Sequence, residues 1–115
     1  MFELVWRPAA TETYNELRDK AATSLQNRTA KGKGKSTKVE GLFKQVHKTA
    51  ALLSENPKHP SLSTHEYDSI ENPYDAKQKV FEAYVQNKTP RAYRLFWCYG
   101  PDPKEITIVA ITPHP

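Results

Sequence analysis

The sequence predicts an α+β fold in the order β-α-α-β-β-β, a helical hairpin packed on a small sheet that is mostly antiparallel. Three observations carry this. Residues 80–111 contain three runs rich in β-branched and aromatic residues, separated by the turns Asn87-Lys88-Thr89-Pro90 and Gly100-Pro101-Asp102-Pro103. Two stretches upstream repeat their apolar residues with helical spacing and are joined by a short basic linker. A further alternating run, FELVWR, opens the chain and ends at Pro8.

In the opening run Phe2, Leu4 and Trp6 alternate with Glu3, Val5 and Arg7, so this strand must find an edge of the later sheet. The first helix follows Pro8. Ala10, Tyr14, Leu17, Ala21 and Leu25 form one apolar stripe. Glu12, Glu16 and Asp19 lie early in it, Lys20 and Arg28 late, an order that complements the helix dipole. Residues 31–36, KGKGKS, read as a flexible basic linker within a single domain spanning 1–115. The linker is not a phosphate loop. It lacks the four-residue gap before Gly-Lys and lies between two helices rather than after a strand. Thr37 and Glu40 have the spacing of a capping box, and Val39, Phe43, Val46, Ala50 and Leu53 then repeat to the stop at Asn56-Pro57. Residues 57–78 are irregular, broken by Pro57, Pro60 and Pro73, with Leu62, Tyr67 and Ile70 available to hold them to the core.

Period two divides the last three strands into faces. Phe81, Ala83 and Val85 share one side of the first, Glu82, Tyr84 and Gln86 the other. In the second, Tyr93, Leu95, Trp97 and Tyr99 oppose Arg94, Phe96 and Cys98. The third, Ile106 to Ile111, is apolar at nearly every position and reads as a central strand. Arg94 is a fixed charge inside an apolar strand. Two roles stay open for it: gripping an anion, or pairing with Glu82 across neighbouring strands.

Bulk properties narrow the function classes. A chain of 115 residues with one cysteine and no long apolar run predicts a protein without membrane span or secretory signal, in a reducing cytoplasm. The formal charge is +4. Its basic block, Arg28 to Lys48, contains a single acid, Glu40, and suits a polyanion or an acidic partner protein. His59, His65 and Asp68 lack the tight spacing of a zinc site, so neither metal nor cofactor is expected.

The segments LVWRPAA, NPKHPSLSTHEYDSI, VFEAYV, AYRLFW and ITIVAITPHP, taken in this order of elements, resemble the RelE/ParE superfamily of toxins from toxin–antitoxin modules. The most specific local match is Tyr93-Arg94-Leu95-Phe96-Trp97. The resemblance implies a partner antitoxin and one of two activities. RelE-like members cleave mRNA, usually on the ribosome; ParE-like members poison DNA gyrase without nuclease residues. A member that only binds its antitoxin is a third reading. Arg94 matches the strand arginine that contacts the scissile phosphate, and His114 the basic position after the last strand. Glu82 and Tyr84 stand where the best-known ribonuclease of the family has lysines, and its C-terminal tyrosine is absent here. A Glu–Arg–His variant fits this pattern.

The chemistry of RNA self-cleavage needs a base for the 2′-OH, a fixed cation for the phosphorane and an acid for the leaving oxygen. Glu82, Arg94 and His114 can supply these roles. Tyr84 can stack a base. Lys88 and Arg91 near the hairpin, with Lys33, Lys35, Lys44 and Lys48 of the basic block, can hold RNA backbone.

Overall fold

The alternation along residues 80–111 folds into the strands it predicts. A computed structural model describes residues 1–32, 34–87 and 89–114. In chain order its elements are β1 (Glu3–Trp6), α1 (Pro8–Ala30), α2 (Lys38–Glu55), a 3-10 turn (Pro60–Leu62), β2 (His65–Glu66), β3 (Phe81–Tyr84), β4 (Tyr93–Tyr99) and β5 (Glu105–Pro113). The sheet order is β1-β5-β4-β3-β2. The opening strand takes an edge, as its pattern required, and runs parallel to β5 with Trp6 opposite Ile108. The other pairs are antiparallel.

The two-residue strand β2 was not expected. It extends the predicted meander by one strand, pairing His65 with Glu82 and Glu66 with Phe81. No alternating run announces so short an element, because its position depends on a partner strand rather than on its own pattern.

One face of the sheet carries the main core. Ala83, Val85, Leu95 and Trp97 meet Ala10, Leu17, Val46, Ala50 and Leu53 from the two helices. Ile106, Ile108 and Ile111 join them although simple alternation would send Ile111 to the opposite face. The register explains this. Leu95, Phe96 and Trp97 oppose Ile111, Ala110 and Ile108, so Val109 is the extra residue of a bulge and resets the faces. The nearly continuous apolar run of β5 thus reflects a bulge as well as burial.

The opposite face is only partly covered. Tyr67 and Ile70 from the loop before β3 pack with Val80, Phe96 and Cys98. Buried Asn72 shapes that loop: Nδ2 donates to the Lys79 carbonyl at 3.2 Å, and Oδ1 accepts from the Tyr74 and Asp75 amides. Leu62 goes instead to the main core. Burial raises the Cys98 thiol pKa and makes it a packing residue.

The helical hairpin is stitched at its open end. Thr37 and Glu40 form the predicted capping box. Arg28 Nη2 donates to Glu40 Oε1 at 2.7 Å, and Ser24 Oγ donates to Oε2 at 2.9 Å. The Arg28 guanidinium, helped by Ser24 and Thr37, lowers the Glu40 carboxyl to about 2 against the cost of desolvation. Arg28, read above as part of a basic block, is therefore already neutralised. Two details of α1 also differ from expectation. The helix starts at Pro8, so Glu12 falls in its second turn and the first turn holds no acid. Leu25 is 47% exposed, because the apolar stripe outruns the sheet after Ala21.

Candidate functional site

The strand register selects which side chains meet. Tyr84 stands opposite Arg94, Glu82 opposite Phe96, and Thr112 opposite Arg94 on the other side. Directly opposed residues share a face, so Glu82, Tyr84 and Arg94 line the side turned away from the helices. The 67–80 loop covers the Phe96 end of this side and leaves the Arg94 end as a surface pocket. Thr89, Arg91, Ala92, Arg94 and His114 line it.

Arg94 is held from below and from one side. Its guanidinium carbon lies 3.8 Å from the Tyr84 ring centroid, a cation–π contact. Nη1 donates to the Gln86 carbonyl at 2.9 Å and, less closely, to the Tyr93 and Ala92 carbonyls at 3.2 and 3.4 Å. Among the described residues its hydrogen bonds all leave from Nη1. Nε is buried with no partner among the described residues. A guanidinium fixed through Nη1 offers an oriented, planar cation to an anionic acceptor. The residue is only 8% exposed, so water competes weakly there.

The alternative pairing of Arg94 with Glu82 is not what forms. Among the described residues no ion pair joins them. The register places Glu82 two residues along β3 from the position opposite Arg94, and Glu82 turns to β2 instead. Its Oε1 meets His65 Nε2 at 2.5 Å. Oε2 is buried without a partner among the described residues. His65 also sets its ring edge against Tyr84, with centroids 5.8 Å apart. In the sequence His65 is a histidine of an irregular loop without metal-site spacing. Only the pairing of β2 brings it to Glu82.

His114 follows the last strand, as expected. Its backbone amide donates to the Ala92 carbonyl at 2.8 Å, which draws the tail over the start of β4 beside Arg94. Arg91 sits in the β3–β4 connection with φ 55°, in the left-handed region that disfavours a long side chain. That conformation places it on the same pocket as Arg94 and His114. Tyr84 is brought in as the support of Arg94.

Among the described residues, the remaining basic candidates do not converge on this pocket. Lys44 and Lys48 lie on exposed positions of α2, in the helical layer on the other side of the sheet. Lys35 is exposed in the connection between the helices. Lys33 and Lys88 lie outside the described residues. Among the described residues no group of three or more His, Cys, Asp or Glu could hold a metal ion. No helix among them is long and apolar enough to cross a membrane.

Solved structures match this architecture end to end. A YoeB/ParE toxin from Agrobacterium tumefaciens superposes with a TM-score of 0.60 at 8% identity, covering 98% of this chain and 99% of that one. The fold is that of the RelE/ParE toxins. The YoeB dimer from Staphylococcus aureus gives a TM-score of 0.57 at 12% identity, covering 99% and 98%. No family model matches the chain, and no curated protein matches it in sequence. At such low identity the likeness speaks for the RelE/ParE-like backbone and leaves the chemistry of the site to its own residues.

Proposed function

We propose that this chain is the toxin of a toxin–antitoxin pair and acts as a metal-independent endoribonuclease on mRNA. The observation that carries the reading is Arg94: a guanidinium pinned through Nη1, seated on Tyr84, with Arg91 and His114 on the same pocket. Such a fork suits two non-bridging oxygens of a phosphodiester and stabilises the charge that builds on them in the phosphorane. Arg91 adds a second cation for a neighbouring phosphate. His114 is the group suited to protonate the leaving 5′-oxygen. The toxin fold supports an antitoxin as partner, and the ribosome is a candidate platform for the mRNA.

A second reading, a gyrase-directed toxin without nuclease activity, draws on one observation. The Glu82 side chain is 3% exposed, so the carboxylate assigned as base does not reach solvent. The two readings separate in a paired assay. Purified chain is incubated with RNA, with and without translating ribosomes, and separately with gyrase and relaxed plasmid. The ribonuclease reading expects new RNA ends bearing 2′,3′-cyclic phosphate and unaffected supercoiling. Blocked supercoiling with intact RNA would reverse the ranking.

A further inference from the structure

Glu82 is the one buried acid among the described residues. A buried carboxylate with an unpartnered oxygen is costly, and such groups mark strain or function more often than stability. Its partner among the described residues, His65, has a side chain 48% exposed against 3% for Glu82. The pair thus has a buried end and a solvent-facing end. The hydrogen positions follow from the partners. A carbonyl oxygen only accepts, so His65 Nδ1, 3.1 Å from the Ser63 carbonyl, carries a hydrogen. Nε2 faces Glu82 Oε1, an acceptor, so a hydrogen on Nε2 would be donated to that oxygen.

We infer that His65 is the proton-transfer residue of this site and that Glu82 is a positioning residue acting through it. The inference rests on the ribonuclease reading above and moves the role of base from Glu82 to His65. In the tautomer that places Nε2–H on Glu82, Nδ1 carries a lone pair. A 2′-OH then passes its proton to Nδ1 as the O2′–P bond forms. The P–O5′ bond breaks, and O5′ takes a proton from His114. The products are a 2′,3′-cyclic phosphate and a 5′-OH, and the step consumes no metal, oxidant or reductant. Once Nδ1 carries the proton, the Ser63 carbonyl 3.1 Å away can accept it in a hydrogen bond.

His65 and Arg94 contact the same Tyr84 ring: Arg94 lies over it and His65 meets it edge to face. A nucleotide whose phosphate sits on Arg94 brings its ribose across Tyr84 toward His65. The charged and titratable groups around the imidazole are few. Glu82 and Tyr84 face it from β3, and Arg94 lies beyond Tyr84 on β4. On its own strand Glu66 is already engaged by Lys79 at 2.6 Å.

The test is single-turnover RNA cleavage across pH by the wild type, His65→Gln, His65→Ala and Glu82→Gln, with melting curves to show that each variant folds. We expect His65→Gln to lose about 10²–10⁴-fold in rate and the pH limb that the imidazole sets. Free imidazole should restore part of the His65→Ala rate, a response that a structural role would not produce. Proton NMR adds a readout independent of activity: a downfield imidazole proton in the wild type, lost in Glu82→Gln. Cleavage by His65→Gln within about threefold of wild type, with Arg94→Ala inactive, would overturn the inference and leave the ribonuclease reading standing. A wild type that cuts no RNA would overturn both.

Discussion

Two carboxylates, Glu40 and Glu82, are both withdrawn from water, and they are treated in opposite ways. Glu40 is saturated. Arg28 grips it with Nε and Nη2, and Ser24 and Thr37 donate to it as well. Glu82 lies deeper and has one partner, with Oε2 left empty among the described residues. The saturated acid ties the end of α1 to the start of α2. The half-satisfied acid sits on the sheet face that also carries Tyr84 and Arg94. Full satisfaction is what stability selects; a polar group left short of partners at a cleft is where chemistry is expected.

Swapping each acid for its amide breaks the comparison most sharply. Glu82→Gln should lower cleavage by about 10²–10⁴-fold while the melting temperature changes little, read by single-turnover kinetics and calorimetry. Glu40→Gln should do the reverse: a lower melting temperature, because Arg28 loses its countercharge, with cleavage per folded molecule unchanged. A melting loss for Glu82→Gln without a rate loss would make both acids structural.

The same contrast predicts a pH dependence. The folded Glu40 carboxyl lies at about 2, below its ordinary value of 4.5. A depressed carboxyl contributes stability that is fully present above the unfolded value and is lost as pH falls toward the folded one. Denaturant titrations from pH 5 down to about 2 should show wild-type stability falling across this window, and Glu40→Gln should flatten the curve.

Smaller effects are expected at single positions around each acid. Thr37→Ala removes the hydroxyl that accepts the Glu40 amide and should cost about 1 kcal/mol by chemical denaturation. Arg91→Gly relieves a left-handed side chain and should leave stability unchanged or up to about 1 kcal/mol higher. The same change should weaken RNA binding and reduce its salt dependence, read by fluorescence anisotropy at several salt concentrations.

Much of this architecture was legible in the sequence, for local reasons. The Thr37–Glu40 box is a three-residue spacing, the α2 stripe a helical period, and the faces of β3 and β4 follow from alternation. What escaped depends on partners distant along the chain. The pairing of His65 with Glu82 is set by where a two-residue strand docks. The return of Ile111 to the core is set by a bulge visible only against β4. Leu25 fits the α1 stripe by period, yet the sheet ends beneath it. The candidate site divides in the same way. Arg94 stood out as a charge in an apolar strand, and the shared face of Glu82 and Tyr84 followed from period two. That Arg94 rests on Tyr84 and Glu82 on His65 is a matter of register, which no single strand encodes.

The most direct measurement is cleavage by Arg94→Ala and Arg94→Lys beside wild type under single-turnover conditions, with RNA ends mapped. The account predicts a loss of about a hundredfold or more in both variants with melting temperatures near wild type, because a lysine cannot reproduce the fork held by the Gln86 carbonyl. Cleavage at the wild-type rate by folded Arg94→Ala would contradict it.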